Sequence, residues 1–454
     1  MSSPSELDRI LDEWCSRCSK QRRLADDELK EVQSRVREEA SALTALGLSA
    51  DEAHLLAVRR LAKRYPALTE LLPSLLGSDT GSVGHETRLQ MFAAVDRRAV
   101  VAFALAVAAA VAVKLPFLFG IRLTGSEPDQ LFYLRNCSLL ALPFLAIYFA
   151  WDRGLPSRRW LGWSVPFLIA ALLINLYPFQ ADGQTQILAA LHLPIVLWLA
   201  VGFAHVGGDW RDHARRMQFI RFSGEWVVYF SLIGLGGGVL VACTQAIFAS
   251  IGVGVEAFLG EWVVPCGAAG AVLVAAWIAE MRQGAAPGLA PLLARLFTPL
   301  FALMLLVFLV TMLVTGPVMD VNREILIAFD LLLVLILGLL IYGVSIRQTA
   351  MPSGPFDALQ LLLVVMATVV DLAALWVMLT RLSAFGLTPN RVAALGENLV
   401  LLVNLGISIH LLGRFVFKRA SFEPLARWQT AYLPVYGLWA AVVVAVFPVL
   451  FGFR

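Results

Sequence analysis

Long apolar runs separated by short polar segments dominate the chain from about residue 99 onward. Each run of about 20 residues is long enough to cross a hydrocarbon layer of ~30 Å as a helix. The segments between them are too short to fold as domains. The pattern therefore predicts an all-α protein, a polytopic transmembrane helical bundle of about eleven spans, at approximately 99–120, 131–151, 160–179, 186–206, 225–249, 262–280, 296–316, 324–345, 359–380, 393–415 and 430–451.

Spans five and six are joined by a short link and predict a helical hairpin. Gly234 and Gly238 in the fifth span have the small-xxx-small spacing that lets two membrane helices approach closely. Glycine weakens a water-exposed helix, whereas in lipid it permits close packing. We therefore expect Gly234 and Gly238 to be helix-packing positions.

Charged residues are concentrated before the first span. The chain has 454 residues, of which 59% are hydrophobic and 15% charged, and residues 1–98 carry 15 Lys and Arg and 16 Asp and Glu. Helical periodicity predicts a small cytosolic helical domain over 1–76, a linker over 77–98 and the transmembrane domain over 99–454. The net charge of +3 and the balanced signs in the N-terminal part argue against a nucleic-acid partner. No apolar signal sequence opens the chain, so we expect a cytoplasmic N-terminus.

Basic residues are divided unequally between alternate loops. With the N-terminus in the cytoplasm, the internal loops hold 14 Lys and Arg residues and the external segments hold five. Because basic residues accumulate in cytoplasmic loops, the division supports an odd number of spans and an external C-terminus. The loop 207–223, with four arginines among aromatic residues, predicts an interfacial helix in contact with membrane lipids.

Two parts of the sequence resemble bacterial families. ELDRILDEW and GLSADEAHLLAVRRL, within residues 1–76, resemble helical prefix domains that precede permease-type membrane regions, which implies regulation or assembly through a cytosolic protein partner. The runs LTPNR and YLPVYGLWA, with much of residues 99–454, resemble the DUF4153 family of polytopic membrane proteins. That resemblance implies a cell inner membrane location and no particular catalytic or binding residues.

Polar side chains inside the spans are candidate site residues, because each one is costly in hydrocarbon. Asp371 lies near the centre of the ninth span, and Asn404 lies at a similar depth in the tenth. Glu397, Asn404 and Ser408 are spaced by seven and four residues, which places them on one helix face. This group predicts either a buried polar lock between spans nine and ten or a midplane site for a solute or a proton.

A second polar group lies nearer the outer ends of the spans. Lys114 and Asp330 share a depth of ~9 Å, and Arg135 enters at a similar depth. They predict an ion pair, a cluster that holds an anionic group, or cations that snorkel to the headgroups. Three carboxylates at span ends are expected to be interfacial: Glu225, Glu261 and Glu280.

Signatures of enzymes and metal sites are weak. Cys15 and Cys18 form a single C-x-x-C, half of a zinc site without a second pair, and we interpret them as incidental helix cysteines. The sequence has no phosphate loop, no nucleophile elbow and no metal-spaced histidine cluster. We therefore expect no catalysis, no cofactor and no metal.

Two functions remain open at this stage. One is a permease-like transporter of a small solute or lipid, with Asp371 and Asn404 lining a midplane site and Lys114, Arg135 and Asp330 on its outer approach. The other is a membrane sensor or regulatory protein that signals through its N-terminal helical domain to a protein partner. Because so many spans exceed what anchoring a small domain requires, we favour the transporter.

Overall fold

The computed structural model describes residues 83–180, 183–282, 289–315 and 323–454, with scattered positions between residues 31 and 58. Its regular elements are all helical, and the described ranges contain no strand. The chain divides into two compact units, Met1–Arg97 and Arg98–Arg454. Cys15 and Cys18 lie outside the described residues, and so does most of the predicted N-terminal domain.

Each predicted apolar run lies largely within a helix. A 3₁₀ segment, Leu115–Phe119, extends the first helix, and a π-helical segment, Leu259–Val263, precedes the sixth. The helices are α1 Val83–Lys114, α2 Glu127–Asp152, α3 Ser157–Leu176, α4 Gln184–His205, α5 His213–Ser250, α6 Val264–Arg282, α7 Leu289–Thr315, α8 Arg323–Ile346, α9 Pro355–Phe385, α10 Pro389–Val416, α11 Glu423–Ala445 and α12 Phe447–Leu450.

Nine helical segments among the described residues are long and apolar enough to cross a membrane. They lie in α1, α2 and α4 to α10, which indicates a multi-pass membrane protein. The apolar part of α3 is short, Ser164–Leu176, and α11 is not among the nine. The count of eleven spans therefore stays a prediction.

Local sequence signals fix where several helices begin. α10 starts after Thr388, whose hydroxyl accepts a hydrogen bond from the Arg391 backbone N–H at 3.4 Å, and Pro389 occupies its first turn. α5 starts after Asp212, whose carboxylate accepts from the Ala214 backbone N–H at 2.8 Å. The LTPNR run is thus a helix-start sequence in this fold.

The membrane domain has two large hydrophobic cores, and a smaller cluster of Leu188, Ala393, Val443 and Phe447 joins them through α4, α10, α11 and α12. The first core joins α1 to α6 and includes Leu145, Phe149 and Leu197. The second joins α7 to α11 and includes Leu305 and Leu405. We call these two sets of helices the first bundle and the second bundle.

Contacts between helix ends fit the alternating directions of the spans. At one end, Arg98, where the apolar part of α1 begins, lies 2.6 Å from the carboxylate of Asp152 at the end of α2. At the other end, the Thr185 backbone N–H at the start of α4 donates to the Arg454 carbonyl at 2.8 Å. We call the first end the inner end and the second the outer end, following the charge-based topology.

The segment expected to form an interfacial helix is instead the first part of α5. His213–Ser250 is one continuous helix, and within it Phe219 and Phe222 are 2% and 0% exposed. Both rings belong to the first core, so the loop 207–223 does not lay its aromatic side chains on a lipid surface. A sequence with aromatic residues beside arginines has the same pattern whether the rings face lipid or pack into the protein. The pattern alone therefore does not distinguish the two arrangements.

Gly234 and Gly238 of α5 do not meet a second helix within the described chain. A Cβ placed on Gly234 or Gly238 would find no atom within 4 Å. Close glycine packing occurs instead at Gly202 of α4, where a Cβ would lie 2.6 Å from the Phe219 ring. The spacing of small residues identifies a helix face without large side chains. It does not identify the helix that packs against that face.

Candidate functional site

A large cavity lies between the first and the second bundle. Its volume is about 1130 Å³, and its lining comes from α1, α2, α4, α5 and α6 on one side and from α8, α10 and α11 on the other. It extends from Gln130 and Glu397, near the outer starts of α2 and α10, to residues halfway along α5. We call it the outer cavity.

The lining is apolar with few polar groups. Most of the lining side chains are aliphatic or aromatic, and none of them is Lys or Arg. Glu397 is the one carboxylate among the lining residues that the structure describes, and it is partly exposed there. His192 also lines the cavity, and its Nδ1 lies 2.9 Å from the Leu188 carbonyl. An apolar solute with a single charged or hydrogen-bonding head matches this chemistry.

Two tryptophans form the inner floor of the outer cavity. The rings of Trp198 and Trp226 are 4.4 Å apart. Trp198 Nε1 donates to Ser223 Oγ at 3.0 Å, and Trp226 Nε1 donates to the Val272 carbonyl at 3.0 Å. Both rings are therefore fixed in orientation.

A cluster of aromatic rings lies directly beneath this floor. Phe222 stacks on Trp198 at a centroid distance of 6.1 Å and on His205 at 4.8 Å. Phe149 meets Phe222 edge-on at 5.1 Å. These packed rings present apolar surface to the inner side of the floor.

An ion network lies at the inner end beside these rings. Glu280 accepts from Arg153 Nη2 at 3.0 Å and lies 2.8 Å from His205 Nε2. Arg153 Nε also donates to the His205 carbonyl at 3.1 Å. Glu280 was expected at the interface, but its side chain is only 9% exposed because it turns inward to His205. We call the aromatic cluster and this network together the inner closure.

Lys114 is paired at the outer end, but with Glu261. Their charged groups are 3.3 Å apart, and each side chain is 9% exposed. Glu261 also accepts from the backbone N–H groups of Leu123 at 3.2 Å and Thr124 at 2.9 Å, and from the Thr124 hydroxyl at 2.7 Å. The expectations of a Lys114–Asp330 pair and of an interfacial Glu261 therefore need correction, because equal depth on two helices does not make them neighbours.

Arg135 does not join Lys114 or Asp330 within the described chain. Its guanidinium lies over the Phe132 ring, 5.8 Å from the ring centre. The predicted cluster of two cations and a carboxylate is therefore not assembled in this conformation.

Asn404 is the centre of a hydrogen-bond network between α10 and α11. Its Oδ1 accepts from Ser408 Oγ at 2.8 Å and from Trp428 Nε1 at 3.1 Å, and its Nδ2 donates to Gln429 Oε1 at 3.1 Å. Its Nδ2 also contacts the Tyr436 hydroxyl. The network fits the polar-lock interpretation, but it joins span ten to span eleven rather than to span nine.

Asp371 lies apart from the Asn404 network. It is 0% exposed, and neither carboxylate oxygen has a hydrogen-bond partner in the described chain. On α10, Asn398 Nδ2 donates to Asp330 Oδ1 at 2.8 Å and lies 3.6 Å from Met378 Sδ, two turns along α9 from Asp371. Sequence reasoning missed Asn398, although an amide at the depth of Asp330 in an apolar run was a usable signal.

Among the described residues, no group of three or more His, Cys, Asp or Glu side chains is placed to hold a metal ion. No protein-family model, curated protein or solved structure matches this chain. The relation to the DUF4153 family and to prefix domains therefore stays a prediction, and any function must be argued from the site.

Proposed function

We propose that the protein is a permease-like transporter that takes an amphipathic, lipid-like solute with a cationic head into the outer cavity. The observation that carries the proposal is the combination of a large apolar chamber with a single carboxylate in its wall. The solute site in this proposal contains Glu397 rather than Asp371 and Asn404, since the Asn404 amide is already hydrogen-bonded.

The size and openings of the cavity favour a solute that partitions into membranes. Ligand pockets commonly measure ~300–1,000 Å³, and this cavity of about 1130 Å³ is at the upper end. Leu134, Ile195 and Val227 line it and are 42%, 44% and 54% exposed on the flank of the bundle. A solute dissolved in the lipid therefore has a lateral route into the chamber.

The charge of the wall favours a cation. An anion would enter a low-dielectric space that offers Glu397 and no Lys or Arg among its described lining residues. A cation would gain the Glu397 carboxylate and the faces of Trp198, Trp226 and Tyr436, which attract positive charge. The electrostatics of the cavity thus favours a solute whose head group is positively charged. The apolar wall accepts hydrophobic tails of different structures.

The inner closure accounts for the direction in which the chamber opens in this conformation. Rings and ion pairs block the path from the Trp198 and Trp226 floor to the inner end. Each bundle has its own large hydrophobic core, so a rocking motion between the bundles would open that path if the smaller cluster of Leu188, Ala393 and Val443 repacks.

Transport of a matched ion pair tests the proposal. Tetraphenylphosphonium and tetraphenylborate share a shape and differ in the sign of charge. We expect proteoliposomes with the full chain to take up the phosphonium in a saturable, protein-dependent manner and the borate only passively. Glu397→Gln should lower the saturable uptake about tenfold, as expected for a lost interaction of ~1.4 kcal/mol. Glu423→Gln, a carboxylate at the inner end, is the matched control.

Saturable uptake that is equal for the two ions, or unchanged in Glu397→Gln, would refute this site. Absence of any protein-dependent uptake would favour the regulatory role instead. Deletion of residues 1–76 should then abolish binding of a cytosolic protein partner.

A further inference from the structure

Asp371 is a buried carboxyl group that the solute site leaves unexplained. Both its oxygens lack a donor in the described chain, and the Asn398 Oδ1 atom on α10 lacks one as well. Asp371 and Asn398 are each 0% exposed. These buried acceptors on neighbouring helices call for a donor that the described side chains do not provide.

The charged residues around Asp371 come from its own helix and from the three helices packed against it. Its helix, α9, packs against α7, α8 and α10. α8 contributes Asp330, and α10 contributes Glu397, with Arg391 and Arg414 near its two ends and His410 two turns from its inner end. α9 itself carries Asp357 near its start and Arg381 near its end. The one ionisable residue of α7 is Arg295, near its inner start. An ionised Asp371 would therefore be opposed by its burial, with no hydrogen-bond donor in the described chain to offset the cost, and by the like charge of Asp330 on the adjacent helix.

A proton satisfies this site better than a metal ion does. Protonation removes the charge of Asp371 and converts an acceptor into an O–H donor. Sodium or a larger ion would need several oxygens around it, and among the described residues no group of three or more His, Cys, Asp or Glu side chains is placed to hold a metal ion. One proton is thus the smallest ligand that matches the group.

The acidic residues connect this buried site to the outer cavity. Asn398, which follows Glu397 on α10, donates to Asp330 Oδ1 at 2.8 Å, and α8, which carries Asp330, packs against α9, which carries Asp371. Glu397 itself stands in the cavity wall. A cation bound at Glu397 would cancel part of the negative field at Asp330 and so favour the ionised form of Asp371. Cation binding and proton binding are therefore mutually unfavourable.

We propose that Asp371 holds a proton which the protein releases when a cationic solute binds at Glu397, one proton for each solute, with Asp330 as the positioning residue between them. This proton-for-cation exchange rests on the proposed function. The proton leaves to water, and no bond other than the carboxyl O–H breaks.

The proton site is tested first without any solute. Infrared spectra of the full chain in lipid nanodiscs should contain the carbonyl band of a protonated carboxylic acid at neutral pH. The band should be lost in Asp371→Asn, return at a shifted frequency in Asp371→Glu and persist in Glu423→Gln. A band unchanged in Asp371→Asn would overturn the proposal. A band that appears only after sodium is removed would overturn it in favour of a sodium site.

The exchange is tested next with tetraphenylphosphonium in weakly buffered solution. We expect the wild type to release about one proton per bound cation, whereas Asp371→Asn should bind the cation and release none. Equal release from both proteins would overturn the coupling. If no cation binds but the infrared band depends on Asp371, the proposed solute and the coupling fail while the proton site stands, so the two failures are distinguishable.

Discussion

The structure predicts that removing Glu261 destabilises the protein more than removing its partner Lys114 does. The Glu261 carboxylate accepts hydrogen bonds from Lys114 and from three further donors, the Leu123 N–H, the Thr124 N–H and the Thr124 hydroxyl. The Lys114 ammonium, in contrast, is paired with the Glu261 carboxylate. Removing the carboxylate leaves a buried ammonium, which typically costs ~3–5 kcal/mol. Removing the ammonium leaves a carboxylate that the Leu123 and Thr124 donors still solvate, so the cost should be only about 1–2 kcal/mol.

A double-mutant cycle measures this asymmetry. We expect Glu261→Leu to lower the free energy of unfolding by about 3–5 kcal/mol and Lys114→Met to lower it by about 1–2 kcal/mol. In the Glu261→Leu background, Lys114→Met should raise stability, because it removes the unpaired charge. The change made by Lys114→Met therefore reverses sign between the two backgrounds.

Unfolding of the full chain in bicelles, followed by tryptophan fluorescence with increasing denaturing detergent, is a suitable assay. Glu256→Gln is the matched control, since Glu256 is an exposed carboxylate in the same outer segment. If Lys114→Met lowers stability equally in both backgrounds, Lys114 does not depend on Glu261 and the reasoning fails.

Three further predictions concern packing and the inner closure. Asn404→Leu should lower the free energy of unfolding by about 2 kcal/mol in the same assay. It removes four interhelical hydrogen bonds of ~0.6 kcal/mol each. The control Leu399→Ala, at an exposed position on the same helix, should cost far less. Gly202→Ala should destabilise because its Cβ meets a buried ring, and Gly238→Ala should be neutral or slightly stabilising because its surroundings are open; equal effects would refute that packing. Phe222→Ala should increase leakage of a small dye from proteoliposomes, and unchanged leakage would count against the inner closure.

Hydropathy located the helices well because each span must satisfy its own backbone in lipid. The α1 to α11 helices lie at the eleven predicted runs, from the first at Val83–Lys114 to the last at Glu423–Ala445. The interfacial helix expected over 207–223 is the exception. Residues 207–223 have an amphipathic pattern, but they also contain the start of the longer helix α5. The packing of α5 against α4 buries the aromatic residues that would otherwise lie at the membrane surface.

The position of a residue along its helix follows from the sequence, whereas its lateral neighbours do not. Lys114 and Asp330 were predicted at one depth, but their partners are Glu261 and Asn398. Spacing correctly placed Asn404 and Ser408 together, since residues four apart on a helix are neighbours. Nothing in the spacing identifies α11 as the helix opposite, because that choice depends on how the whole bundle packs.

The outer cavity was not predictable from a single run of sequence. Its wall combines apolar residues from eight helices, each of which looks like an ordinary span residue. Glu397 was a candidate because of its charge, but its role at a chamber wall follows from the separation of the two cores.

The most direct test of the account uses a cysteine already present in the cavity wall. Cys137 lines the outer cavity, whereas Cys243 is exposed on α5 away from the lining. We would measure the rates at which N-ethylmaleimide alkylates both thiols, peptide by peptide, with and without tetraphenylphosphonium. The account predicts slower alkylation of Cys137, no change at Cys243 and loss of this protection in Glu397→Gln. Equal rates at Cys137 with and without a saturating cation would contradict it.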